Sequence, residues 1–155
     1  MDNDSIKTYS YRISQATRSQ LVVITYDIIL DYMKTAVNSQ AVKEYKESLH
    51  MAMRGIDQLI TGLDMKYEVS LPLYQIYGYI KRSIISAQAT VDYESINKLI
   101  GMLEKLRTSF LEVSRQDTSE PLMKNTEKVY SGLTYSRYGA NETASDTLGN
   151  RGYKV

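Results

Sequence analysis

From Thr17 to Val113 the chain runs as long stretches in which apolar residues recur every three or four positions, separated by short polar breaks and almost free of internal Gly or Pro. That spacing predicts helices. The first starts at Thr17, which forms a capping box with Gln20, and runs to about Val37, where Asn38 and Ser39 interrupt it. The second spans about Ala41 to Leu63, with Gly62 near its end. After a loop over residues 64–69, Ser70 is the expected cap of a third helix, which admits Pro72 in its first turn and ends near Ala89. Asp92 is the expected cap of a fourth, ending near Val113. Helices of this length are about 30 Å long, and connections of a few residues force neighbours to run antiparallel. The expected fold is therefore all-α: an antiparallel up-and-down four-helix bundle over residues 17–113.

The predicted helices are of two kinds. In the second, Tyr45, Leu49, Met53, Ile56, Leu59 and Ile60 form one stripe while Lys43, Glu44, Lys46, Glu47 and Asp57 fall elsewhere. The fourth repeats this with Ile96, Leu99, Leu103, Leu106 and Phe110. Both have one apolar and one wet face. The first and third differ: Leu21 to Met33 is apolar around its whole circumference apart from Asp27 and Asp31, and Leu73 to Ile85 carries only Lys81 and Arg82 as charges. A helix apolar on all sides is buried centrally or presents its spare face to a partner. Four helices leave little room to bury two of them fully, so the surplus surface is covered by the chain's own tail, by a second copy, or by a different protein.

After Ser114 the composition shifts to Ser, Thr, Asn and Gly. Within this polar tail, residues 114–155, one short periodic piece at Leu122, Thr126, Val129 and Leu133 follows Ser119-Glu120-Pro121 and predicts a weak fifth helix near 120–131. Beyond Gly132 the composition is that of a flexible segment. Residues 1–16 precede the bundle as a separate N-terminal segment.

Charge narrows the function. Lys and Arg number 19 against 18 Asp and Glu, a net charge of +1 in 155 residues, so the field that draws proteins to phosphate backbones or anionic lipid is missing. Nucleic acid and membrane are not expected partners, and no stretch approaches the roughly 20 apolar residues of a membrane span. With no Cys there is neither disulfide nor thiolate chemistry, which fits a reducing compartment such as the cytoplasm. The one histidine, His50, belongs to no metal-binding helix pair and reads as a structural or surface residue, and the scattered glycines form no phosphate loop. No cofactor, metal or enzymatic activity is expected.

Four motifs in order along the chain carry a resemblance. Ile6-Lys7-Thr8-Tyr9, the run ISQATRSQLVVITYDIILDYM from Ile13 to Met33 with Tyr26-Asp27 at its heart, Ile76-Tyr77-Gly78-Tyr79-Ile80-Lys81-Arg82 followed by Ala87-Gln88, and Ile96 to Phe110 together resemble the flagellar secretion chaperone FliS family. Arg18, Ile28 and Gly78 stand where that family commonly has Pro, Gly and an acidic residue. The resemblance implies a cytosolic export chaperone that binds the disordered C-terminal segment of flagellin, prevents its premature polymerisation and keeps it competent for type III secretion. It leaves open a contact with the flagellar export gate, the choice between monomer and weak homodimer, and the rival reading of a dimerising helical structural or regulatory adaptor.

A client segment would enter between helices in the helix-in-groove mode. The surplus apolar faces place that groove beside the first and third predicted helices, with Ile24, Ile28, Tyr74, Tyr77 and Ile80 as candidate contacts and Met51 and Met53 as adaptable lining. By their matching positions Ile6 and Tyr9 are candidates for a cap that the client displaces, and the predicted C-terminal helix near Leu122 is the alternative cover. Asp27 and Arg82, isolated charges on apolar helices, are candidates for buried, hydrogen-bonded groups that fix helix register.

Overall fold

The structure, a computed structural model, describes residues 3–124, which belong to the compact unit Met1–Met123 apart from Lys124. These residues form α1 (Asn3–Ser14), α2 (Arg18–Asn38), α3 (Val42–Thr61), α4 (Ser70–Thr90) and α5 (Tyr93–Gln116), with no strand among them. Helices α2 to α5 make the antiparallel bundle. Helix α2 packs on α3 and α5, and α4 packs on the same two, so α2 and α4 face each other across the diagonal.

Local chemistry sets the helix ends. Thr17 Oγ1 accepts the Gln20 N–H at 3.3 Å while the Thr17 N–H donates to Gln20 Oε1 at 3.0 Å, closing the capping box that starts α2. Asp92 Oδ1 accepts the Ser95 N–H at 3.0 Å and Oδ2 the Ser95 hydroxyl at 2.6 Å; these bonds hold the Asp92 carboxyl below its ordinary range. Ser70 is not the cap of α4. Val69 holds that position without a side-chain bond, and Ser70 is the first helical residue, its hydroxyl donating to the Asp64 carbonyl at 2.6 Å. Helix α4 ends at Val91, whose φ of 57° is left-handed, an uncommon place for a β-branched residue. Its side chain packs on the core, and the Tyr45 hydroxyl donates to the Ala87 carbonyl at 3.1 Å, holding that turn against α3.

One continuous core fills the bundle, with Tyr26, Ile29 and Met33 from α2, Tyr45, Leu49 and Ile56 from α3, Leu73, Tyr77, Ile80 and Ile84 from α4, and Ile96 and Leu103 from α5. The contact between α2 and α3 is close enough to require glycine: a Cβ added to Gly55 would lie 2.4 Å from Ile29 Cγ1.

The N-terminal segment is a helix, with Ile6, Tyr9 and Ile13 at helical spacing, and it packs on α2. At the other end, α5 runs three residues past Val113 to Gln116, and residues 117–124 carry no helix. The rest of the helix predicted near 120–131, and of the tail, lies outside the described residues. The Leu122 N–H donates to the Ala16 carbonyl at 3.0 Å, drawing this stretch back to the junction of α1 and α2.

Candidate functional site

The loop between α3 and α4 carries Met65, Tyr67 and Val69, each more than half exposed. Large apolar side chains are uncommon ornaments for a solvated loop, and Tyr67 and Val69 border an opening. At this end of the bundle the start of α2, the end of α3, the start of α4 and the end of α5 surround a cleft of about 580 Å³. Its walls are Leu21 and Val22 from α2, Leu59 and Leu63 from the end of α3, Leu73 and Tyr77 from α4, and Phe110 from α5. Tyr67, Val69 and Leu122 form the rim. The volume lies in the range of small-molecule and side-chain pockets. The lining is mainly apolar, with Arg18, Gln58 and Asp64 as polar groups at its margin, so it suits aliphatic or aromatic side chains.

The floor of the cleft is rigid. Tyr77 and Tyr26 share a hydrogen bond through their hydroxyls inside the core, joining α4 to α2 across the diagonal, and Tyr26 stacks at 5.5 Å on Phe110. Burial pushes both phenols above their ordinary range, Tyr26 far above it; the bond to Tyr77 adds to the rise at Tyr26, whereas the same bond lowers Tyr77 in part.

A separate polar cluster holds α1 in place. Asp27 on α2 accepts from Arg12 Nη2 of α1 at 2.6 Å and from Arg107 Nε of α5, so one carboxylate ties three helices. The Asp27 bond raises Arg107 further. Tyr9 donates its hydroxyl to Asp31 Oδ2, and the Arg12 guanidinium lies 5.5 Å from the Tyr9 ring centroid. Burial, and then the bond to Asp31, pushes the Tyr9 phenol up. At the C-terminal end of α5, Asp117 accepts from Ser119 and Ser19, whose hydroxyls hold its carboxyl far below the ordinary range.

The candidate residues read from the sequence are spread over this framework. Tyr77 lies in the cleft floor. Ile24 is buried at a shallow hollow it shares with Tyr11 and Arg12 of α1, and Ile80 is fully enclosed in the core. Ile28, Met51 and Met53 are half-buried, and Tyr74 is exposed beside Gly78 on the outer side of α4. These seven do not converge on one groove. Of the cap candidates, Tyr9 is half-buried against Asp31 and Ile6 is half-exposed; neither lines the apolar cleft. Asp27 is paired twice, with Arg12 and Arg107, whereas Arg82, expected as a buried group, is exposed. The cleft residues Tyr67 and Val69 were not singled out from the sequence, Leu63 was read only as part of the core stripe of its helix, and Leu122 only as part of a possible cover. The available signal was the apolar content of the 64–69 loop.

Among the described residues no group of His, Cys, Asp and Glu is arranged to hold a metal ion, and no helix is long and apolar enough to cross a membrane. The fold and the site together define an all-helical bundle protein with an open apolar cleft at one end and an N-terminal helix clasped to its side. The sequence profile of the flagellar protein FliS family matches residues 2–117, which include all five helices. The chain belongs to that family, a family of flagellar export chaperones whose client is flagellin. A search of curated proteins returned no match.

Proposed function

We propose that this chain binds the C-terminal segment of flagellin in the cytoplasm, seats apolar side chains of that segment in the cleft between the ends of α2, α3, α4 and α5, and so keeps it from polymerising before export. The observation that carries this reading is the cleft itself, about 580 Å³ lined by Leu21, Val22, Leu59, Leu63, Leu73 and Phe110. A bundle with these core residues has no packing reason to leave such a space open.

The energetics set the mode of binding. Ordering a disordered chain costs about 1–2 kcal/mol per residue, whereas burying one large apolar side chain returns about 1.5–3 kcal/mol. A cleft of this size takes only a few anchors, so the client must also gain from contacts along the bundle. Half-buried Ile28, Met51 and Met53 are adaptable surface of that kind, and α1, with Ile6 and Tyr9, is the displaceable cover over the α2 side. Catalysis has no place in this scheme; the work is done by burial.

Calorimetric titration of a flagellin C-terminal peptide tests it. Binding with a negative heat-capacity change is expected, weakened at least about tenfold by Leu63→Lys at the rim. Absence of binding, or binding indifferent to Leu63→Lys and to Tyr67→Ser, contradicts the reading.

A further inference from the structure

The junction between α1 and α2 meets the stretch of chain that follows α5. Helix α1 closes with two bonds that continue its last turn, from the Gln15 N–H to the Arg12 carbonyl at 3.3 Å and from the Ala16 N–H to the Ile13 carbonyl at 3.2 Å. At Thr17 the backbone is extended, with ψ at 172°, and the capping box then starts α2. Thr17 is fixed by that cap, so any swing of α1 away from the bundle pivots next to Ala16. Both residues are buried, and the Ala16 carbonyl accepts the Leu122 N–H at 3.0 Å. A carbonyl in a buried junction needs such a donor.

Short-range chemistry brings Leu122 there. Asp117 accepts the Ser119 N–H at 2.9 Å and the Ser119 hydroxyl at 2.5 Å, which turns the chain as α5 ends. The same carboxylate accepts the Ser19 hydroxyl from the first turn of α2, and Ser19 Oγ lies 3.2 Å from Thr17 Oγ1, so the turn and the α2 cap share one network. Pro121 fixes its own φ and biases Glu120 toward extended backbone, which lowers the entropic cost of placing Leu122. Leu122 then acts at two places. Its N–H is on the junction, while its side chain stands at the rim of the apolar cleft with Arg18, Leu21 and Phe110. That side chain is 54% exposed, a shallow seat from which a more deeply buried apolar group displaces it.

We propose that residues 117–122 are a strap coupling the cleft to α1: with Leu122 at the rim, its N–H locks the α1–α2 junction, and a client side chain that takes its place in the cleft lifts the strap, breaks the bond to Ala16 and frees α1 to swing out. The unlocking rests on the cleft being the client's seat; the locking does not. Arg12 and Tyr9 clasp the length of α1 through Asp27 and Asp31, whereas the strap governs its pivot. The cover therefore opens in response to a client already engaged at the end of the bundle. A plain closure of the α5 end would account for the Asp117 network, but would not require the cleft side chain and the junction bond to belong to one residue.

Hydrogen exchange of the client-free full chain tests the lock. Leu122→Pro deletes the N–H, and Leu122→Ser keeps the N–H but loses the seat. Each is expected to speed exchange of the α1 amides about three- to tenfold, the range set by one hydrogen bond, with α3 and α4 unchanged. Met123→Ser is the control: Met123 is as exposed as Leu122 but lines no part of the cleft, and its replacement should change nothing. Adding a flagellin C-terminal peptide tests the unlocking. The α1 amides of the wild-type chain should then exchange faster, and Leu122→Pro should bind the peptide about three- to tenfold more tightly, because its lock is already broken. Unchanged α1 exchange in either Leu122 variant, an equal loss of protection in α3 and α4, the same effect from Met123→Ser, or bound peptide with α1 still protected overturns the proposal. If both Leu122 variants free α1 and the peptide does not bind, the lock stands, while the client reading and the unlocking that rests on it fall.

Discussion

Tyr26 and Tyr77 meet by their hydroxyls in the interior of the bundle, and each satisfies the other's only buried polar atom. Removing one hydroxyl strands its partner, and the cost is that of an unsatisfied buried group, about 1–3 kcal/mol; removing both leaves an apolar contact of nearly the same shape. Tyr26→Phe is therefore expected to destabilise the fold by that amount in denaturant unfolding, and Tyr26→Phe/Tyr77→Phe by much less, with a coupling of about 1 kcal/mol or more. The same pair sets the alkaline limit. Both phenols are raised in the folded state above their unfolded value of about 10, so their contribution is fully present below that pH and fades as the pH climbs further, when the unfolded chain ionises first. The melting temperature should fall above about pH 10, and fall less steeply in the double Phe variant. Tyr77 stood out in the sequence as a possible contact residue because α4 is apolar on all sides. Periodicity finds such a residue but is blind to which of its faces meets a partner across the diagonal.

Helices α2 to α5 were legible because each is long, periodic and punctuated: Thr17 with Gln20 and Asp92 with Ser95 are caps that act within a few residues of themselves. Helix α1 has neither length nor a strong apolar stripe, and a 12-residue helix is marginal alone. What holds it is distant in sequence, Arg12 on Asp27 and Tyr9 on Asp31, so no local pattern could reveal it. Asp27→Ala removes the carboxylate between Arg12 and Arg107 and leaves two cations facing one another. With Asp27 only 14% exposed, between the surface and buried cases, the expected loss is about 1–2 kcal/mol. The sharper readout is hydrogen exchange: amides of α1 should lose protection while those of α3 and α4 keep theirs. If α1 is the displaceable cover, the same variant also binds the flagellin peptide more tightly; a variant with freed α1 amides and unchanged affinity would remove α1 from the binding mechanism.

For the molecule as a whole, the surplus of apolar helix surface was visible in the sequence, but its distribution was not. Much of it is consumed by the core, where Ile24, Tyr77 and Ile80 lie buried, and the remainder divides between the terminal cleft and the outer face of α4. That division follows from how helices of unequal apolar content pack around a diagonal pair, and from the loop between α3 and α4, whose conformation brings Tyr67 and Val69 to the cleft rim. Spacing along one helix carries neither kind of information. The most direct test of where the client sits is photo-crosslinking from a reactive residue placed at Tyr67 on the rim, with the exposed His50 on α3 as the control position. With full-length flagellin, position 67 should cross-link to the flagellin C-terminal segment and position 50 should not. Equal capture from both positions, or capture only through other parts of flagellin, would contradict the assignment of the cleft.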